Sequence, residues 1–263
     1  MLRTRLLTAA GALPLLIFLI GYAPEWSFSG TVLVLTGIGL WEYFSLTRAQ
    51  CTLSPVIGKL WGMLVAFSMV SGDMRLIGTA LSLGFMLIFI LSLRDRYPAR
   101  GIQTTSLFML GVVYIGFLFP HVLWIHRGPE GAEWVFFILL VAMLGDTGGY
   151  VVGRAWGKRK LLPHISPGKT IEGGVGSICG NGVAALIAWQ YLLPNRPASE
   201  LVVLALLMGL LAQLGDLCES ALKRACGAKD SGRFFPGHGG VLDRIDSLLF
   251  PIAFIYYYNT LWN

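Results

Sequence analysis

Apolar residues occupy this chain in long blocks, and polar residues are confined mostly to the connections between them. Nine blocks read as membrane-crossing helices, for which about 17–25 predominantly apolar residues are needed. They cover 6–22, 27–46, 56–71, 75–93, 104–125, 134–152, 171–193, 200–222 and 241–261, the third being the shortest. Arg3 and Arg5 ahead of the first block imitate a secretory signal, but blocks recur along the whole chain, so the first is read as a membrane helix. No soluble domain, low-complexity tract or clear internal repeat separates them. The pattern predicts an all-α, polytopic integral membrane protein.

Composition strengthens this reading. Of 263 residues, 55% are hydrophobic and 13% charged, against about 45–50% and about 25% in a soluble domain. Too few polar residues remain to cover a soluble surface. Charge then sets orientation. Of the 20 Lys and Arg, all but Arg75, Arg127 and Arg196 fall on one side of the alternating loops. The positive-inside rule places that side, with the N-terminus, in the cytoplasm and the C-terminus outside. Part of this charge suits anionic lipid headgroups. The loops after spans six and eight are longer and more basic than that task requires. No nucleic-acid partner is expected. Cys51, Cys179, Cys218 and Cys226 form no CxxC pair and no Cys/His spacing, and are read as free thiols.

Ionisable groups inside membrane spans cost several kcal/mol, so each is a functional candidate. Asp146 lies late in span six, in VAMLGDTGGY. Asp216 and Glu219 lie late in span eight, in AQLGDLCES. Asp243 and Asp246 open span nine, in LDRIDS. The topology puts all five at similar depth, toward the cytoplasm. Residues three apart on a helix are neighbours, so Asp216 and Glu219 share a face, as do Asp243 and Asp246. A divalent cation would stabilise such a group, since Mg²⁺ takes one or two carboxylates plus substrate phosphates. Helix-end ion pairs are the alternative. They account for Asp243 and Asp246 at a helix N-terminus better than for Asp146 and Asp216 inside apolar runs.

Bases surround these acids. Lys223 and Arg224 follow Asp216, and Lys229, Asp230, Arg233 and His238 lie in the connection KDSGRFFPGHGGVLDRIDS. The loop after span six reads GRAWGKRKLLPHISPGKTIEGG. A polyanionic substrate held by metal and by ammonium or guanidinium groups suits this mixture. SPGKT imitates the end of a P-loop, but the required earlier Gly is Pro163 and no strand is expected before it, so a P-loop NTPase is rejected. Gly239 and Gly240 beside His238 could present backbone N–H groups to phosphate, or form a flexible connection.

Residues 220–246 carry Ser220, Lys223, Arg224, Lys229, Asp230, Gly232, Pro236, His238, Gly239, Gly240, Asp243, Arg244 and Asp246 in fixed spacing. This pattern resembles the signature of the phosphatidate cytidylyltransferases, or CDP-diacylglycerol synthases. GDTGGYVVGRAWGKRKL and ISPGKTIEGG resemble the family's preceding block, with Gly149 where the family usually has Ala. The likeness is close over about 140–250 and elsewhere extends only to a similar series of membrane helices.

The resemblance implies that CTP and phosphatidic acid react to give CDP-diacylglycerol and pyrophosphate, in phospholipid biosynthesis at the cytoplasmic (inner) membrane. It implies Mg²⁺ at Asp216 and Asp243, with Asp246 as a further ligand, and K⁺ beside Mg²⁺ in family members. Lys169, Lys223, Arg224 and Lys229 are then expected to neutralise phosphates, and His238 to donate a hydrogen bond to one. Gly239 and Gly240 would let backbone approach the triphosphate, with Ser166 and Thr170 as further phosphate contacts. Asp146, Glu219 and Asp230 are additional candidates for the acidic site. Residues 1–133 would form a scaffold with lipid access, and 134–263 would carry the site. A homodimer is a further possibility. The rivals are a CTP-dependent polyprenol kinase, which transfers a different phosphate, and a cation transporter. A CDP-alcohol phosphotransferase is set aside because no DGxxAR occurs.

Overall fold

The computed structural model describes residues 14–232 and 239–262. In chain order the helices are α1 (residues 14–21), α2 (Glu25–Leu46), α3 (Pro55–Ser71), α4 (Met74–Ser92), α5 (Pro98–Gly111) and α6 (His121–Arg127). There follow α7 (Gly131–Trp156), α8 (Ile171–Tyr191), α9 (Ala198–Ala225) and α10 (Leu242–Trp262). A π-helical stretch, Val112–Phe117, carries α5 toward α6. Every expected span from 27–46 onward falls on a helix, and the first is described only from residue 14.

Among the described residues, five helical segments are long and apolar enough to cross a membrane: Met74–Ser92, Pro98–Arg127, Gly131–Trp156, Ile171–Tyr191 and Ala198–Ala225. α3 is apolar but shorter. Glu42 interrupts the apolar run of α2, as Asp243, Arg244 and Asp246 interrupt that of α10. The molecule is an all-α integral membrane protein.

The chain divides into two compact units. One comprises residues 1–124 and 226–245, the other 125–225 and 246–263. The connection after α9 therefore belongs with the N-terminal helices.

In the first unit, glycines let large side chains sit directly on neighbouring backbones. Phe44 of α2 lies over Gly58 of α3, and Leu40 over Gly62, where any Cβ would collide. Trp61 covers Gly84 of α4 and donates its indole N–H to Ala80 O at 2.9 Å. Tyr43 covers Gly111 and donates to Leu107 O at 2.8 Å. Its ring meets Phe44 edge-on at 5.2 Å, and Phe44 meets Phe108 at 5.0 Å. With no hydrophobic drive between helices in lipid, such close packing and interhelical hydrogen bonds supply the association. Local signals delimit the helices: Ser54 and Asp73 cap α3 and α4, and Gly72 ends α3 with φ 70°.

In the second unit, α7 and α8 approach backbone to backbone. A Cβ on Gly148 would overlap Gly176 O, one on Gly176 would overlap Gly148 O, and one on Gly180 would overlap Leu144 O. α8 meets α9 where Asn181 lies against Gly209. α9 meets α10 where Gly215 lies against the backbone of Asp246. At the start of α9, Arg196 pairs with Glu130 at 3.4 Å and Glu200 at 3.6 Å, and stacks over Trp134. Tyr258 donates to Glu200 at 2.8 Å. Asp216 lies about 24 Å further along α9 at the usual helical rise.

One element departs from expectation. The stretch after α7 was expected as an irregular basic loop with no strand ahead of SPGKT. Instead β1 (Lys160–Leu162) and β2 (Ser166–Thr170) form an antiparallel hairpin. SPGKT is itself the second strand, so its backbone is extended rather than wrapped as a phosphate cradle. Pairing of Lys160 with Thr170 and of Leu162 with Ser166 across a short turn produces it, and the hydropathy pattern does not report that pairing.

Candidate active site

The hairpin delivers one lysine to α9. Lys169, near the end of β2, places Nζ 2.8 Å from Asp216 Oδ2, and both side chains are largely shielded. Lys169 also donates to Gln213 Oε1 at 3.1 Å, and Gln213 Nε2 donates to Ser177 Oγ of α8 at 3.1 Å. Ser220, one turn beyond Asp216, donates to its Oδ1 at 3.2 Å. A continuous polar chain thus joins α8, β2 and α9 within otherwise apolar helices. Thr170 anchors the hairpin, since its hydroxyl accepts from Gly173 N at 3.0 Å and caps α8. Glu172 receives the backbone N–H groups of Lys158 and Arg159 and ties down the start of the hairpin.

A second charged pair lies one turn further along α9. Glu219 is fully buried and pairs with Lys223 across i, i+4. At the start of α10, Asp246 is buried and accepts from Ser247 N at 2.6 Å. Asp216, Glu219 and Lys223 of α9 are near enough to act on it electrostatically. Three carboxylates and two lysines therefore interact in the second unit, in surroundings where unpaired charge is expensive.

The first unit holds Asp243. Gly240 N donates to its Oδ2 at 2.8 Å, Ser231 Oγ at 2.9 Å and Ser231 N at 3.1 Å. Gly239 has φ 80°, and a Cβ there would lie 2.7 Å from Asp243 Oδ2. Only glycine fits this turn. Ser231 Oγ also lies 3.3 Å from Glu42 Oε2, and Glu42 accepts from Val241 N at 3.1 Å and Leu242 N at 2.8 Å.

A model of the cytidylyltransferase family matches residues 3–262. The chain belongs to that family. Over 273 aligned residues, covering 99% of this chain and 94% of the relative, it is 34% identical to a phosphatidate cytidylyltransferase of Brucella suis. It is 41% identical to that of Bacillus subtilis over 158 residues, 59% of this chain and 58% of the relative. It is 40% identical to that of Staphylococcus saprophyticus over 147 residues, 56% of each chain. The last two alignments thus span just over half of those curated relatives.

As a cytidylyltransferase-family member, the chain has its expected site residues in several settings. Asp216, Asp246, Glu219, Lys169 and Lys223 meet in the second unit. There Arg224 donates to Ile165 O at 3.3 Å, Ser166 opens β2, and Asp146 lies on an exposed face of α7. Asp243, Gly239 and Gly240 meet in the first unit, where Lys229 and Asp230 are exposed. His238 lies outside the described residues. Gly149, where the family usually has Ala, would place a Cβ at 3.4 Å from Gly173 O. That is ordinary contact, so either residue fits there, whereas neighbouring Gly148 tolerates none.

Sequence reasoning passed over Glu42, Gln213 and Ser231. The rule that singled out Asp146 applies equally to Glu42 in GLWEYFS. Nothing in the pattern distinguishes Gln213 or Ser231 from ordinary polar residues. The cysteines are free, as expected. Burial pushes the Cys51 thiol up to about 11 and raises that of Cys226, so neither presents a thiolate near neutral pH.

Among the described residues, no three His, Cys, Asp or Glu side chains are gathered as a metal cage. The donors instead suit a cation held by one or two carboxylates and completed by substrate phosphates. Asp216 supplies an acceptor oriented by Ser220 and paired with Lys169.

Proposed function

We propose that this chain transfers the cytidylyl group of CTP to phosphatidic acid, releasing pyrophosphate and forming CDP-diacylglycerol. The observation that carries this reading is the pair between Lys169 of β2 and Asp216 of the apolar helix α9, which also carries Glu219 and Lys223. Family membership supports the same reaction. A phosphate oxygen of the lipid attacks the α-phosphorus of CTP. The bond from that phosphorus to the bridging oxygen breaks, and pyrophosphate leaves with the electron pair. The lipid phosphate carries about −1.5 to −2 near neutral pH, so the nucleophile needs no strong base. The problem is repulsion between two polyanions, and catalysis rests on positioning and charge neutralisation.

Lys169 and Lys223 are presented by rigid elements, each paired with a carboxylate in this state. A triphosphate offers Lys169 a more highly charged partner than Asp216. Arg224 and Lys229 add exposed cationic donors, and His238 is assigned a hydrogen bond to phosphate. The family resemblance assigns Mg²⁺-binding roles to Asp216 and Asp246 in the second unit and to Asp243 in the first, and Mg²⁺ would neutralise phosphate charge when bound. The Lys/Arg bias supports a cytoplasmic-facing site in the inner membrane, where CTP is available.

Purified protein given CTP, phosphatidic acid and Mg²⁺ should release pyrophosphate only when the lipid is present. α-Labelled CTP should mark the lipid. Label arriving from the γ-position would instead identify a kinase and sink this reading. Asp243→Asn should lower turnover by at least about 100-fold, on the scale of losing a charge-stabilising group, while leaving the purified protein folded.

A further inference from the structure

Glu42 is a buried carboxylate that the proposed reaction does not use. It lies inside an apolar block of α2 and is 1% exposed. Its two oxygens accept from the N–H groups of Val241 and Leu242, at the entry to α10. A negative charge is favourable there, because the first amides of a helix lack intrahelical acceptors. Capping alone does not require this residue. A Ser, Asn or Asp from the connection itself would serve, without a charged side chain brought in from a distant helix.

The same carboxylate shapes the backbone around Asp243. Gly232 and Gly240 both lie against Glu42, and a Cβ on either would collide with its oxygens. Ser231 Oγ stands between the acids, 2.9 Å from Asp243 Oδ2 and 3.3 Å from Glu42 Oε2. It has one proton to donate, and the shorter contact is to Asp243. Ser231 N, Ser231 Oγ and Gly240 N converge on Asp243 Oδ2. Two of these three donors, Ser231 Oγ and Gly240, also abut Glu42.

We propose that Glu42 is a positioning residue for Asp243, fixing the backbone at 231–232 and 240–242 so that three donors hold that carboxylate in one orientation. This rests on the reading of Asp243 as a substrate-site acid that binds the divalent cation. Glu42 itself touches neither substrate nor the reacting atoms.

The test uses the full chain in detergent, with Glu42→Gln and Ser231→Ala. Glutamine keeps the shape, but Val241 N and Leu242 N donate to different carboxylate oxygens, so one of them would face an NH₂ group in place of an acceptor. Peptides covering 240–243 should exchange amide hydrogen faster in Glu42→Gln. Mn²⁺ binding, read by electron paramagnetic resonance, should weaken by about tenfold or more, as when an outer hydrogen-bond partner of a metal ligand is lost. kcat should fall by a similar factor with the KM for CTP little changed. Ser231→Ala should weaken Mn²⁺ binding in the same direction, and the double variant should be no weaker than Glu42→Gln.

Faster exchange with wild-type Mn²⁺ binding and kcat would make Glu42 a cap only and overturn the proposal. If Glu42→Gln fails to fold, Ser231→Ala decides, and unchanged Mn²⁺ binding there overturns it. Asp243→Asn separates the two levels. Full activity and Mn²⁺ binding in that variant would sink the reading of Asp243. An inactive Asp243→Asn beside a normal Glu42→Gln would sink only the role of Glu42.

Discussion

Lys169 illustrates how two side chains can be singled out in sequence while their pairing is not. The family resemblance implies that Lys169 neutralises phosphate, while the letters SPGKT imitate a P-loop. The structure puts it on a strand, 2.8 Å from Asp216 and 3.1 Å from Gln213. Lys169→Met should raise the KM for CTP by about tenfold or more, the scale of one charge-assisted hydrogen bond, measured by pyrophosphate release across CTP concentrations. Unchanged KM would remove Lys169 from the substrate site. Asp216, Asp243 and Asp246 were legible as membrane acids because a carboxylate in an apolar run is costly without a purpose. Glu42 obeys the same rule, but its partners are backbone amides almost 200 positions away, which no local pattern reveals.

At the scale of elements, the apolar blocks predict helix positions closely, because a membrane span must satisfy its backbone internally. They do not say which faces meet. Nothing in the apolar pattern marks the glycines of DTGGY and IEGGVGSICGNG as packing positions. In the structure Gly148, Gly176 and Gly180 form the seam between α7 and α8. Gly148→Ala would force a methyl into Gly176 O and should destabilise the protein by about 1–3 kcal/mol, the usual cost of overpacking. Gly149→Ala, with ordinary contact distances, should change stability by no more than about 0.5 kcal/mol. Thermal unfolding of the two variants in detergent checks the contrast, and equal melting temperatures would refute the seam. The β1–β2 hairpin is the element that pattern missed, because its exposed residues show no alternation and its strands exist only through each other.

For the whole molecule, the asymmetry of Lys and Arg predicts a cytoplasmic N-terminus and an external C-terminus. Reporter fusions at both ends should show opposite locations, and a shared location would break the nine-span topology. Membrane class, helix positions and the acids near the ends of spans eight and nine follow from sequence alone, because they depend on hydropathy, length and the cost of buried charge. Family membership is likewise legible in the spacing of residues 220–246. Tertiary structure decided which distant groups pair: Lys169 with Asp216, and Glu42 with the amides opening α10. Those choices depend on close approach between residues far apart in the chain, where a missing Cβ or a strand pairing sets distances that hydropathy and spacing do not encode.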